Sequence, residues 1–270
     1  MILHVGTHKT GTTAIQTALK KNSKAMRAEG FAVLSPPKCL RTLQGISTPR
    51  QMLVDQCRET LAAYRAKFPG KRLIVSHEGL SGDPLQGYRN APAIVKTLLE
   101  AFGRDIHVVL FLRRQDEFIS SMFVQYLQQG HSWNFRSFRE RVGLLNWHRL
   151  AKAFRWFDKV SVCEYRSADL YNAGAIHKQF GAVIGSKVMQ CAPGTLENVS
   201  VDRGAVEVFK LCNPRLNKAE RKLLRRILQR HIHKPYGAKS NFFAPGEREE
   251  YMRLHATANK RLEVDYAIHF

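Results

Sequence analysis

The sequence predicts an α/β fold: a parallel sheet flanked on both faces by helices, with a mostly helical C-terminal part. Two observations carry this. Short, near-continuous apolar runs alternate with stretches of helical spacing, as strands buried on both faces require. Beyond about residue 173 the strand-like runs give way to helical spacing alone. Taken in order, residues 1–6 (MILHVG) read as a strand ending in glycine. Thr12–Ala28 spaces Ile15, Ala18, Leu19 and Met26 as one helix, closed by Gly30. Phe31–Ser35 is a second strand, stopped by Pro36-Pro37, and residues 38–50 show no period and read as loop. Gln51–Phe68 reads as a helix ended by Pro69-Gly70, and Arg72–Ser76 as a third strand. Ala91–Phe102 is helical, Ile106–Leu112 (IHVVLFL) is the most strand-like run, and Asp116–Gln129 is helical again. Residues 144–157 are amphipathic, and Val160–Glu164 is a fifth strand.

The chain has 270 residues, 44% hydrophobic and 24% charged, which is a globular composition. At this length folding buries roughly 75% of the extended chain's surface, so the core needs no covalent staples. No apolar run reaches the length of a membrane span. The start shows no basic n-region or cleavage site, so the expected compartment is the cytoplasm. Five dispersed cysteines, with no CxxC, argue against a disulfide framework and a zinc site. Forty-three Lys and Arg against twenty-two Asp and Glu give a net charge of +21. Such a surface attracts anions, whether nucleotide, nucleic acid, acidic lipid or polysaccharide, without choosing among them.

The chemistry-bearing segment is Gly6-Thr7-His8-Lys9-Thr10-Gly11-Thr12-Thr13, between the first strand and the first helix. Ligands of open parallel sheets bind at the carboxyl ends of strands. A loop there offers backbone N–H groups and a helix N-terminus to an anion, Lys9 adds a full charge, and Thr12 and Thr13 add hydroxyls. The glycine spacing matches the nucleoside-triphosphatase pattern G-x-x-x-x-G-K-[ST], but Thr12 stands where the lysine belongs, and Lys9 lies inside the loop. The most strand-like run ends in Arg113-Arg114, not in an acid that would hold Mg²⁺. A phosphate-bearing ligand gripped by Lys and Arg, without a metal, fits better.

His8-Lys9-Thr10-Gly11-Thr12-Thr13 resembles the 5′-phosphosulfate loop of the sulfotransferase family, written P-K-[ST]-G-T-[TS], with His8 in place of the proline. That family uses PAPS (3′-phosphoadenylyl sulfate) and has a three-layer P-loop-type α/β fold. Its second signature is an Arg at a strand end and a Ser eight residues later, holding the 3′-phosphate. Arg113 and Ser121 match it, the Arg as a forked charged donor and the Ser as a hydroxyl on the next helix. The resemblance covers the order of elements over roughly residues 1–170. It implies one sulfotransferase domain over residues 1–270, with a cofactor-binding core over 1–170 and a helical part over 171–270.

Sulfuryl transfer to an alcohol needs a base for the acceptor and a cation for the leaving phosphate oxygen. Lys9 suits the second role. For the base, strand three ends in Ser76-His77-Glu78-Gly79-Leu80-Ser81. Glu78 is similar to the Glu of the E-K-[ST] motif of heparan-type enzymes, though Gly79 replaces the lysine. His77 is the alternative, since enzymes acting on phenols and steroids use a His near this point. Glu78 is preferred, and adjacent residues of an extended chain point opposite ways, so only one can face the sulfate.

Tyr165, after strand five, resembles a tyrosine near the adenine in some members, with packing as the plain alternative. Asn198-Val199-Ser200 resembles a loop that closes over the nucleotide. Trp147 and Trp156 read as core filling. Arg215–Lys234 carries eight Lys and Arg and one acid, Glu220, with an apolar stripe of Leu216, Ala219, Leu223, Ile227 and Leu228. It reads either as a helix packed on the core with a solvated basic face, or as an anion-attracting wall or membrane-surface face.

The expectation is therefore a PAPS-dependent sulfotransferase that releases adenosine 3′,5′-bisphosphate. Its acceptor is a hydroxyl, with an amine as the lesser alternative, on a carbohydrate or glycolipid. Peripheral membrane contact is possible in principle, and no nucleic-acid partner is expected. A P-loop kinase and a non-enzymatic nucleic-acid binder are the rival readings.

Overall fold

The structure is a computed structural model that describes residues 1–166, 175–193, 203–231 and 242–270. Strand β1 spans Ile2–His4, and helices α1 (Thr12–Lys21) and α2 (Ser23–Ala28) lead to β2 (Phe31–Leu34). Helices α3 (Lys38–Thr42) and α4 (Gln51–Lys67) precede β3 (Arg72–Ser76), and α5 (Ala91–Phe102) leads to β4 (His107–Arg113). Helices α6 (Gln115–Gln128), α7 (Phe135–Val142) and α8 (Trp147–Ala153) come before β5 (Lys159–Tyr165). The rest is helical: α9 (Ala175–Ile184), α10 (Lys187–Cys191), α11 (Arg203–Cys212), α12 (Lys218–His231), α13 (Glu247–Arg253) and α14 (Ala256–Tyr266).

The five strands form one parallel sheet in the order β2-β3-β1-β4-β5. Side chains alternate between two buried layers, as the two-residue strand period demands. Ile2, Ile74, Val109 and Phe111 meet Ile15, Leu19, Met26, Phe180 and Met189 on one face. Leu3, Val75, Val108 and Leu110 meet Leu61, Ile94, Ile119, Trp147 and Phe209 on the other. Helices from the C-terminal part enter both layers. The chain leaves β1 toward β2 on one side and leaves β4 toward β5 on the other. The two connections diverge between β1 and β4, which makes that crevice the switch point where ligands of open α/β sheets bind.

Three expectations need correcting. The helix over 12–28 divides at Asn22 into α1 and α2; the Ala18 carbonyl accepts there from both the Asn22 N–H at 3.0 Å and its side-chain amide at 2.9 Å, a shared acceptor at the junction. Residues 38–50 are not all loop: α3 and a 3₁₀ turn at Leu43–Gly45 bury Leu40 and Leu43, in pieces too short to display a period. Trp156 does not fill the core; it is 50% exposed under the Arg155 guanidinium, whereas Trp147 is buried. Asn198-Val199-Ser200 lies outside the described residues. Among the described residues no helix is long and apolar enough to cross a membrane.

Candidate functional site

The glycine loop is held against β4 before it turns. Beyond β1 the Val5 N–H donates to the Val109 carbonyl at 3.0 Å, and the Thr7 N–H to the Phe111 carbonyl at 2.9 Å. The chain then reverses through left-handed backbone at Lys9 (φ 63°) and Gly11 (φ 75°). A Cβ on Gly11 would lie 3.3 Å from both Tyr165 and Ile176, and one on Gly6 (φ 52°) would lie 2.7 Å from Thr12 Oγ1. Both positions therefore need glycine for conformation and for space. The Thr10 hydroxyl donates to the Thr7 carbonyl at 2.6 Å, and the Thr12 hydroxyl reaches the same carbonyl at 3.5 Å, so both close the loop on itself. Thr13 stays exposed on the first turn of α1. Among the described residues, no backbone carbonyl accepts from the N–H groups of Lys9 through Ala14. Unpaired amides at a helix N-terminus are what an anion binds.

Arg113, at the tip of β4, meets this loop directly. Its Nη1 donates to the Lys9 carbonyl at 3.3 Å, and its guanidinium lies over the Tyr165 ring, 5.4 Å from the centroid. Its Nε is 3.4 Å from a Glu117 carboxylate oxygen, one turn into α6. The Arg113 carbonyl accepts from the Trp147 indole N–H at 2.8 Å, which anchors the strand tip to α8. Burial pushes the Lys9 ammonium down to about 8, and repulsion from Arg113 adds to the shift. Lys9 is thus a buried cation close to a second one, and Glu117 offsets only the charge of Arg113. Ser121 is half-buried on α6, one turn beyond Glu117 and on the same side of the helix. Arg114 is committed elsewhere, making a bidentate pair with Asp116 at 2.7 and 2.8 Å. Tyr165 is buried between Gly11 and Arg113, where it packs against the glycine and makes the cation–π contact.

His8 is clamped where the resemblance calls for proline. The Tyr88 hydroxyl accepts from the His8 N–H at 3.3 Å and also meets His8 Nδ1 at 3.1 Å, while Gln44 Nε2 lies 3.4 Å from His8 Nε2. Burial lowers the His8 imidazole to about 4, so the ring is neutral near pH 7. Tyr88 itself sits at φ 59° after Gly87, a conformation that costs energy in a tyrosine and that the packed Tyr88–Phe118–Trp147 cluster holds in place. Removing the phenol oxygen in Tyr88→Phe leaves a buried N–H without a partner. The expected result is a stability loss of about 1–3 kcal/mol, with weaker binding of any anion in the loop. Thermal melting with and without the anion checks this; an unchanged melt would mean the clamp holds nothing.

The end of β3 separates the two candidate bases. Glu78 lies beside the start of the loop, with its Cβ 3.4 Å from where a Gly6 Cβ would stand, and a carboxylate oxygen accepts from Gln16 Nε2 at 3.5 Å. Gln16 also donates to the Ser76 carbonyl at 3.0 Å, fixing α1 to the strand end. His77 packs its ring against Gly79. Its Nε2 is buried without a hydrogen-bond partner, and burial lowers its pKa despite the opposing pull of Glu78. A Cβ on Gly79 would lie 2.7 Å from His77 Nε2 and 2.9 Å from Gln44 Oε1. A side chain at this position would have to displace His77 or Gln44.

Lys9, Thr10, Gly11, Thr12, Arg113 and Tyr165 thus converge at the β1–β4 crevice, and Glu78 adjoins the loop from β3. Gln44, Tyr88, Gln16 and Glu117 were not anticipated. Only Tyr88 had a usable signal, the turn chemistry of Gly82-Asp83-Pro84 and Gly87, which keeps the chain at the strand-end edge after β3. No protein-family model matches the chain, and no curated protein or solved structure matches it either.

Proposed function

We propose that this protein is a PAPS-dependent sulfotransferase acting on a hydroxyl acceptor, with a carbohydrate or glycolipid as the favoured class, and that its sheet is a three-layer P-loop-type arrangement. The observation that supports this best is the contact between Arg113 and the Lys9 carbonyl. The two segments that resemble phosphate-binding signatures lie far apart in sequence and touch at the sheet's switch point, which favours one ligand spanning both. The residues fit the ligand's chemistry: unpaired amides and Lys9 suit a phosphosulfate, and Arg113 with Ser121 suits a separate phosphate.

When bound, PAPS supplies the sulfuryl group. Lys9 and the loop amides hold and polarise the phosphosulfate end and offset the charge that develops on the leaving oxygen. Arg113 and Ser121 would hold the nucleotide through its 3′-phosphate, and Glu117 positions the Arg113 guanidinium from α6. Glu78 accepts the proton of the acceptor hydroxyl, and Gln16 keeps the carboxylate aimed. The protein's contribution is positioning and electrostatics, as in phosphoryl transfer.

Thermal shift with adenosine 3′,5′-bisphosphate, ATP–Mg²⁺ and duplex DNA separates this reading from its rivals. At a hundredfold excess over Kd, the bisphosphate should stabilise the fold by about 2.7 kcal/mol, roughly 5–10 °C at this size. Arg113→Ala should lose most of that shift. Stabilisation by ATP–Mg²⁺ alone would replace the sulfotransferase with a kinase.

A further inference from the structure

We infer that α12 is a docking face for a membrane surface carrying anionic lipid. The helix holds six Lys and Arg and a single acid, Glu220. That acid is used up at the helix start: its carboxylate accepts from the Asn217 N–H at 2.7 Å, while the Asn217 side chain accepts from the Glu220 N–H at 3.1 Å, a reciprocal cap. Positions four apart share a stripe of a helix surface. Lys222, Arg226 and Arg230 therefore form one ladder, with Leu223 and Ile227 forming the ladder beside it. All five side chains are exposed, Leu223 by 58% and Ile227 by 47%. Among the described residues no carboxylate pairs with Lys222, Arg226 or Arg230.

The opposite side of α12 is what fastens it. Leu228 is buried, Leu224 packs against the core, and Arg221 Nε donates to the Asn213 carbonyl at 3.1 Å. Asn213 in turn donates to the Leu127 and His131 carbonyls at 2.7 and 2.8 Å, which ties this corner to the end of α6. The core thus takes only part of the helix's apolar arc and leaves Leu223 and Ile227 facing outward, next to cations that no carboxylate among the described residues pairs. Cations alone fit any polyanion. A phosphate backbone gains nothing from an aliphatic pair, whereas the headgroup–acyl boundary accepts both ladders at once. That pairing selects lipid over nucleic acid.

Co-sedimentation with vesicles of equimolar phosphatidylserine and phosphatidylcholine, against phosphatidylcholine alone, tests this without any nucleotide, so its outcome is independent of the sulfotransferase reading. The wild-type protein should bind only the anionic vesicles. Lys222→Gln/Arg226→Gln/Arg230→Gln should weaken binding on the order of a hundredfold, and Leu223→Gln/Ile227→Gln about tenfold. Both variants should melt like the parent, because every replaced side chain is exposed. No binding to the anionic vesicles overturns the proposal. So does binding that survives Leu223→Gln/Ile227→Gln, or a DNA duplex that binds more tightly than the vesicles and is indifferent to that double variant, which would make α12 a nucleic-acid face.

Discussion

Replacing Lys9 with alanine is expected to lower kcat/KM for release of adenosine 3′,5′-bisphosphate from PAPS by about 10²–10³, the effect of removing one preorganised donor at a developing oxyanion. The lysine is not a freely solvated charge. Burial and Arg113 have already lowered its pKa to about 8, so its ammonium is poorly compensated until an anion arrives. Its backbone, at φ 63°, is also strained, and an alanine inherits that strain. Lys9→Gly separates the two effects: glycine relaxes the backbone but still lacks the charge. It should fold at least as well as the parent and lose activity as fully as the alanine variant. The same ammonium sets a pH dependence. A phosphate is fully ionised well below pH 8, so the bisphosphate's own charge is constant above that point while Lys9 loses its proton. Affinity should therefore fall as pH rises past about 8, by up to about tenfold per pH unit, and the fall should vanish in Lys9→Gly. For the unliganded fold the sign is opposite. A lysine pKa below 10.5 in the native state means that the unfolded chain binds the proton more tightly, so this group's penalty is present below pH 8 and disappears as pH rises toward 10.5. Calorimetric titration of the bisphosphate across this range measures the first effect. An affinity flat in pH, with full turnover in the glycine variant, would remove Lys9 from the chemistry.

How much of this was legible in the sequence follows the range of the interactions involved. Strand β3 and helix α5 match their sequence boundaries because each is a clean apolar period between turn residues. The lysine loop and the Arg113 tip could be located from local spacing alone, as the turn after one strand and the end of another. That they touch follows from strand order, which puts β1 beside β4 although β2 and β3 intervene in sequence. The clamp on His8 was not legible. Tyr88 and Gln44 come from irregular segments, and a tyrosine hydroxyl meeting a backbone N–H leaves no periodic trace. Helix α7 escaped for a similar reason: it is eight residues long, and its one local cue is Asn134, whose side chain caps the Ser137 N–H at 2.8 Å. The stripe on α12 was legible as a stripe, but periodicity cannot say which part of an apolar arc the core covers.

The choice of base yields the second large effect. Glu78→Gln is expected to reduce kcat by about 10²–10⁴, the range for loss of a positioned general base, while leaving affinity for adenosine 3′,5′-bisphosphate unchanged. The substitution is nearly isosteric, and the new amide keeps an oxygen that can accept from Gln16 Nε2, so any loss reports the missing proton acceptor and not a displaced α1. His77→Gln should cost far less. The His77 ring is neutral near pH 7, since burial lowers its pKa, and a neutral imidazole is chemically able to act as a base. Placement is what disfavours it: Nε2 is buried without a hydrogen-bond partner and packs where a Cβ on Gly79 would stand, whereas the Glu78 carboxylate meets Gln16 of α1 beside the loop. Gly79→Ala offers an independent check on that geometry. An added methyl group cannot fit unless His77 or Gln44 moves, and Gln44 is one of the two supports of His8, so the loop should loosen and bisphosphate affinity should fall while the Glu78 chemistry is untouched. If instead His77→Gln abolishes turnover and Glu78→Gln spares it, the roles at the end of β3 are reversed, and the acceptor must enter from the Gln44 side of the loop.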